Sequence, residues 1–205
     1  MQKELEELKG KIESYKPYNE QEEQDKKVMI DYINNFDNVL TRENEFGHFT
    51  ASSWVVNKQR TKMLMIYHNI YHSWTWTGGH ADGEHDLLET AIRELKEETG
   101  VKNVKVLSPD ILSLEIICVN GHVKRGKYVS SHVHLNLTYL LEVDEEETLQ
   151  MKEDENSGVQ WIPIEKIGKY STEPWMIEKI FTKLNKRLKA VSYTHLRAHE
   201  TRSNL

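Results

Sequence analysis

A single cysteine, Cys118, stands in a chain of 205 residues, so no internal disulfide can form, and a reducing cytoplasm is the expected compartment. Proline is scarce, at four residues. No apolar run nears the roughly 18 residues a membrane span needs, and the N-terminal MQKELEELKG is too charged for a signal peptide. Basic charge is also short. Lys and Arg number 27 against 33 Asp and Glu, for a net charge of −6. No overall positive field therefore draws in a nucleic-acid polymer, whereas a small anion held by a local cation stays open. The remainder is ordinary for a soluble protein, 38% hydrophobic and 29% charged, and the length suits one domain with a sizeable core plus appendages.

The stretch from Gly78 to Val101, GGHADGEHDLLETAIRELKEETGV, orders the rest. Leu87, Leu88, Ala91, Ile92 and Leu95 recur at helical spacing and make one apolar stripe, and Gly100 supplies a C-terminal cap. Glu94, Glu97 and Glu98 stand at i, i+3 and i+4, so three carboxylates leave one face together. They repel one another and raise one another's pKa unless a cation joins them. A hard dication fits: Mg2+ or Mn2+ takes oxygen ligands and keeps other positions for water and phosphate oxygens. A merely solvated acidic face is the competing reading.

Residues 1–38 read as a helical extension. Leu5, Leu8, Ile12 and Tyr15 form one stripe, and Val28, Ile30, Tyr32 and Ile33 a second after Pro17; they would pack on the domain or on a second copy of the chain, as a homodimer. Strand texture begins near Phe46, with 48–56 and 63–67 as a hairpin around a turn at 57–62. Trp74 and Trp76 point to one side of an extended segment, so Trp76 is a candidate wall for a nucleobase, with core packing as the alternative. Strands are expected at 104–107, 112–119 and 130–143, with Asn120-Gly121 as a turn. The polar stretch 122–127 between the last two offers Arg125 and Lys127 to phosphate, or is an ordinary basic loop. In the 130–143 strand His132, His134, Asn136 and Thr138 alternate with apolar residues, as in a half-buried strand whose polar face lines a cleft. His132 and His134 lack a cysteine or third histidine to complete a zinc set, so they read as polar strand residues, His132 being a candidate substrate contact. Cys118 lies in an apolar run and reads as a buried thiol.

A last strand is expected at 159–163, followed by helices at 165–170 and 174–188; the latter should bury Trp175, Ile177, Ile180, Phe181, Leu184 and Leu188. The domain thus spans 39–189. From 190 to 205 the periodicity stops, and the segment resembles translated adapter or vector sequence; His195 and His199 are assigned no site.

The central stretch resembles the Nudix box, G-x5-E-x7-R-E-U-x-E-E-x-G-U, where U is a bulky apolar residue. Gly79, Arg93, Glu94, Leu95, Glu97, Glu98, Gly100 and Val101 fall on its positions, eight of nine, and His85 replaces the first glutamate. The resemblance implies an α+β fold, the Nudix-type α/β/α sandwich with a mixed sheet, and hydrolysis of a nucleoside diphosphate linked to another moiety. It implies that Glu94, Glu97, Glu98 and the Gly79 carbonyl hold Mg2+ or Mn2+. Glu98, or Glu155 six residues before Trp161, would take the proton of the attacking water, and Arg93 would orient a box glutamate. With His85 in the box, Arg93 is expected to turn to Glu89 or Glu84. The partner implied is a small nucleotide or diphosphate. ADP-ribose, nucleotide sugars, dinucleoside polyphosphates and oxidised nucleoside triphosphates all stay open. Two rivals share the resemblance. One is an isopentenyl-diphosphate isomerase of Nudix fold, which uses a cysteine and a histidine-rich metal site. The other is a non-catalytic nucleotide-sugar-binding module, against which the intact Arg93, Glu94, Glu97, Glu98 set argues.

Overall fold

In the computed structural model, which describes residues 2–124 and 126–189, the chain opens with helices α1 (Gln2–Ser14) and α2 (Glu20–Asn35). The side chain of Asn19 caps α2 by accepting the Glu22 N–H at 3.0 Å, which satisfies one of the free amides of a helix start. The α1 stripe is buried as expected, at Leu5, Leu8, Ile12 and Tyr15. The α2 stripe holds in part: Ile33 is buried and Ile30 and Tyr32 pack against the same core, while Val28 is exposed and Met29 and Glu22 are buried in addition. The buried Glu22 carboxylate lies 2.8 Å from Lys183. Both helices share one core with Phe49, Ala51, Leu135, Leu137 and Tyr139, so the expected extension packs on the chain's own sheet.

The strands are β1 (Gly47–Val56), β2 (Lys62–His68), β3 (Ser73–Thr75), β4 (Thr77–His80), β5 (Lys105–Val106), β6 (Ser113–Val119), β7 (His122–Lys124), β8 (Lys127–Val129), β9 (His132–Glu142) and β10 (Asn156–Pro163). The main sheet runs β10-β2-β1-β9-β5, with β3 on β2, β4 on β1 and β6 on β9. Only β1 and β9 pair in parallel, Thr50 opposite Asn136; the other described pairs are antiparallel, so the sheet is mixed. The expected hairpin forms, Val56 opposite Met63, with the Asn57 Oδ1 accepting the N–H groups of Thr61 and Lys62 at 2.8 and 3.0 Å.

Alternation along the central strands divides the core. Phe49, Ala51, Leu135 and Leu137 meet α1, α2 and Leu87 and Ala91 of α3 (Leu87–Thr99). Trp54, Val56, Met63, Met65 and Leu140 meet a last helix over residues 174–189, which follows a short turn of helix, α4 (Ile167–Tyr170); we label the last helix α5. Helices thus cover both faces, an α+β sandwich. Since β9 is a central strand, Asn136 and Thr138 are buried as fully as Leu135 and Leu137, and the half-buried reading holds only at its histidine end. The polar stretch 122–127 is itself a hairpin, β7 on β8.

Two expectations about α5 change. Its first part is a π-helix, Met176–Phe181. The wider turn shifts the phase of everything before it, so Met176 is buried and Trp175 is 45% exposed. Ile180, Phe181, Leu184 and Leu188 are buried as expected. The expectations for Arg125 and for residues 190–205 lie outside the described residues. Among the described residues no helix is long and apolar enough to cross a membrane.

Candidate active site

Helix α3 is held at both ends by its own sequence. Asp86 accepts the Leu88 N–H at 3.2 Å, and Gly100 takes φ 73°, a left-handed conformation natural to glycine. Leu87, Ala91 and Leu95 are buried under the sheet, and the Ser53 hydroxyl donates to the Ala91 carbonyl at 3.0 Å. That seating aims the next face, which carries the three glutamates, at β4 and a cleft of about 1240 Å³.

All three glutamates line this cleft, in unequal settings. Glu98 is buried and accepts the Gly78 N–H at 2.9 Å. Burial pushes its carboxyl well above the usual range; Glu94 and Glu155 add to the rise, and the Gly78 bond opposes it. Glu94 is also pushed up by burial, against the pull of Arg93. The Gly79 backbone lies directly against the Glu94 carboxylate, in the space a Cβ would fill, so glycine here is a requirement of close approach. Glu97 is about half exposed. Lys152 reaches into the cluster, 3.3 Å from Glu97 and 3.0 Å from Glu155. Burial alone would pull its ammonium down, but the two carboxylates hold it above its usual range. Lys152 thus serves as counter-ion between Glu97 and Glu155.

Arg93 does not turn to Glu89 or Glu84. It donates to Glu94 at 2.9 Å and to the His80 carbonyl at 3.2 Å, with Glu97 at 3.9 Å. Glu84 is engaged elsewhere, accepting the Asp86 N–H at 2.8 Å and pairing with His85 at 3.3 Å. His85 therefore contacts Glu84 ahead of α3 and, among the described residues, makes no contact to Arg93.

Of the other expected site residues, Glu155, Trp76 and His132 line the cleft. Trp76 is buried and meets Phe181 edge-on, ring centres 5.8 Å apart, so it is core and wall at once. Lys127 is not among the lining residues; Lys124, on the partner strand, is. Cys118 is a correction. It is exposed and lines the cleft, because burial falls along β6 from Ser113 to Cys118, and an apolar run does not reveal where its strand leaves the core.

Sequence reasoning also missed three features. Arg42 makes a paired contact with Asp82, at 2.7 and 2.6 Å, on the cleft wall. Tyr71 and Trp175 add exposed aromatic surface there. Most notably, His48 and His80 join His132 and His134 in one cluster. Burial pushes His80 and His134 each down to about 2, and Arg42 or the neighbouring rings push in the same direction. Only the spacing of His132 and His134 is a local signal; His48 and His80 join them through strand pairing.

The sequence matches the model of the NUDIX domain family over residues 47–183. It is 34% identical over 99 residues to the m7GpppN-mRNA hydrolase NUDT17 of Xenopus laevis, covering 48% of this chain and 31% of that protein. It is 32% identical over 97 residues to the RNA pyrophosphohydrolase of Pelagibacter ubique strain HTCC1062, covering 46% of this chain and 61% of that protein. The matches thus span less than two thirds of either relative. Among solved structures, a Caenorhabditis elegans Ap4A hydrolase binary complex superimposes with a TM-score of 0.52 at 20% identity, over 71% of this chain and 98% of that one. The MutT protein of Methanosarcina mazei Go1 does so at 0.51 and 16% identity, over 70% and 96%. At these identities the likenesses concern the fold.

Proposed function

The chain belongs to the NUDIX domain family, and we propose from that premise that it hydrolyses a diphosphate linkage in a nucleoside diphosphate derivative, with Mg2+ or Mn2+ and a water molecule. The observation that carries the proposal is the inward folding of Glu94 and Glu98 onto the Gly78–Gly79 backbone. Arg93 offsets Glu94 only in part, since its carboxyl stays raised, and Glu98 beside it is raised further; a dication would stabilise both carboxylates in their charged form.

The residues fit such an ion. Glu94, Glu97, Glu98 and the Gly79 carbonyl supply hard oxygen donors beside an open cleft, the donor type that Mg2+ prefers. When bound, the ion supplies charge neutralisation at phosphorus and a more acidic water. Arg93 fixes Glu94 through its 2.9 Å contact and so positions one donor. Glu155, on the far side of Lys152, accepts the water's proton in this reading, with Glu98 as the alternative acceptor. Lys124, which lines the cleft, supports the phosphates in this reading, and Trp76, Tyr71 and Trp175 offer aromatic faces to a base. A cleft of about 1240 Å³ is ample for a nucleotide joined to a further group, since ligand pockets commonly run from ~300 to ~1,000 Å³.

The test is a panel of ADP-ribose, nucleotide sugars, dinucleoside polyphosphates and oxidised nucleoside triphosphates, each with Mg2+ or Mn2+, followed by product mass. Cleavage between two phosphates of at least one compound, abolished by chelation, is the expected result. The exposed Cys118 favours keeping the isomerase as a second reading. Conversion of isopentenyl diphosphate without phosphate release, lost in Cys118→Ala, would replace hydrolysis with it.

A further inference from the structure

We propose that His48, His80, His132 and His134 form a second metal site, independent of the box carboxylates, which takes a divalent transition ion of the Zn2+ class through imidazole nitrogens. The four residues come from three neighbouring strands at one end of the sheet. His48 of β1 lies opposite His134 of β9, His80 ends β4 opposite Thr50 of β1, and His132 stands two residues before His134 on the same side of β9.

One ligand atom from each ring lies within 4.8 Å of all the others. Nitrogens bound tetrahedrally at about 2.0–2.1 Å are about 3.3 Å apart. The Nε2 atoms of His132 and His134 are already at 3.1 Å. The remaining nitrogens, within 4.8 Å of one another, would draw in by up to about 1.5 Å on binding the ion.

The tautomers are prepared for this. The His48 Nδ1 is 3.0 Å from the Asn44 carbonyl, and the His132 Nδ1 is 2.8 Å from the Ser130 carbonyl. A carbonyl only accepts, so both Nδ1 atoms carry the hydrogen and both Nε2 atoms present lone pairs. Backbone carbonyls hold metal-ligating histidines in this way. His48 is only 5% exposed and its Nε2 has no hydrogen-bond partner. A buried acceptor turned into a group of three other imidazoles is the independent sign of a missing ligand.

The donor set also selects the ion. Four nitrogens with no carboxylate suit Zn2+, Co2+, Ni2+ or Cu2+ and are poor ligands for Mg2+. Asp82, the acid nearest in sequence to His80, is taken by Arg42 at 2.6 Å. An ion here ties β1, β4 and β9 together one residue from Gly79, and so steadies the backbone on which Glu94 and Glu98 lean.

Zn2+ titration of the chelator-stripped full chain in excess Mg2+, read by calorimetry and by competition with a chromogenic chelator, tests the site. One Zn2+ per chain is expected to bind despite Mg2+. Co2+ in its place should give the visible spectrum of a four-coordinate nitrogen site, a measurement that needs no variant. His48→Gln and His132→Gln should each weaken Zn2+ binding by roughly 100-fold or more, while Glu97→Gln, which alters only the carboxylate set, should bind Zn2+ as before. No Zn2+ uptake against Mg2+, an octahedral Co2+ spectrum, or binding lost in Glu97→Gln or in His195→Gln/His199→Gln would overturn the proposal. Because the readout is binding, hydrolysis can fail on every substrate while this site stands, and the reverse.

Discussion

Burying the Glu98 carboxylate against the Gly78 amide opposes folding of the metal-free chain. Its folded pKa is raised by burial, so the ionised group disfavours the folded state at every pH above the ordinary carboxylate value of about 4.3. Glu98→Gln removes that disadvantage. In EDTA at pH 7 the variant should unfold at the same temperature as the parent or higher, and a loss of more than about 1 kcal/mol in urea would contradict this account. Gly79→Ala acts on the neighbouring contact. Its new Cβ would land on the Glu94 carboxyl group, and displacing a metal donor by about 1 Å should lower turnover by roughly 100-fold while circular dichroism stays unchanged. At this scale the sequence was most legible where the motif is local. Glu94, Glu98, Gly79 and Arg93 meet because one loop and one helix carry them all. Lys152 and the histidine cluster were not legible, because their partners arrive from distant strands and loops.

Among the elements, α2, β6 and α5 are joined by one buried charge group. The Lys183 ammonium lies 2.8 Å from Glu22 and 3.0 Å from Glu115, and it donates to Gln21 at 2.9 Å. Around them the Ser113 hydroxyl lies within hydrogen-bond reach of both carboxylates, with one hydrogen to share between them, and Arg187 bonds Tyr15 and Glu22. Lys183→Ala would leave buried Glu115 without its cation and Glu22 with Arg187 alone, at 3.4 Å, a loss of about 3–5 kcal/mol, measurable as a lower urea midpoint at pH 7. The pH dependence has a fixed sign. Burial raises Glu22, but Lys183 and the surrounding donors outweigh it, so its folded pKa lies below the ordinary value. Its contribution is therefore complete above that ordinary value and is lost as pH falls through the lower folded one. The parent should lose stability in that acid window, and Lys183→Ala should show a shallower fall. Element boundaries followed their local signals at α3, with its Asp86 and Gly100 caps, and at the β1–β2 hairpin. Facing departed from the local pattern at Val28 of α2, which is exposed, and at the start of α5, where the π-helical stretch leaves Trp175 exposed and Met176 buried.

For the molecule as a whole, the family match begins at residue 47, yet Leu8, Ile12 and Met29 before it are buried at 0–1% exposure. A chain starting at residue 39 would bare the face holding Phe49, Leu135 and Leu137 and would leave Lys183 with Glu115 alone of its three partners. It should be recovered aggregated or as a loosely packed state that binds hydrophobic dye; a monomer with the parent's cooperative melting would contradict this. The sandwich was legible through the resemblance. That the two helices before it belong to its core was not, because an amphipathic stripe does not name the surface it covers. The central claim is that the α3 carboxylates, with a dication, cleave a diphosphate linkage in the cleft they line. The most direct measurement is the Mg2+-dependent cleavage rate of the parent, Glu97→Gln and Glu98→Gln on whichever panel compound the parent hydrolyses. Both variants should fall by at least ~100-fold with their folds intact; near-parental rates in both would contradict the claim.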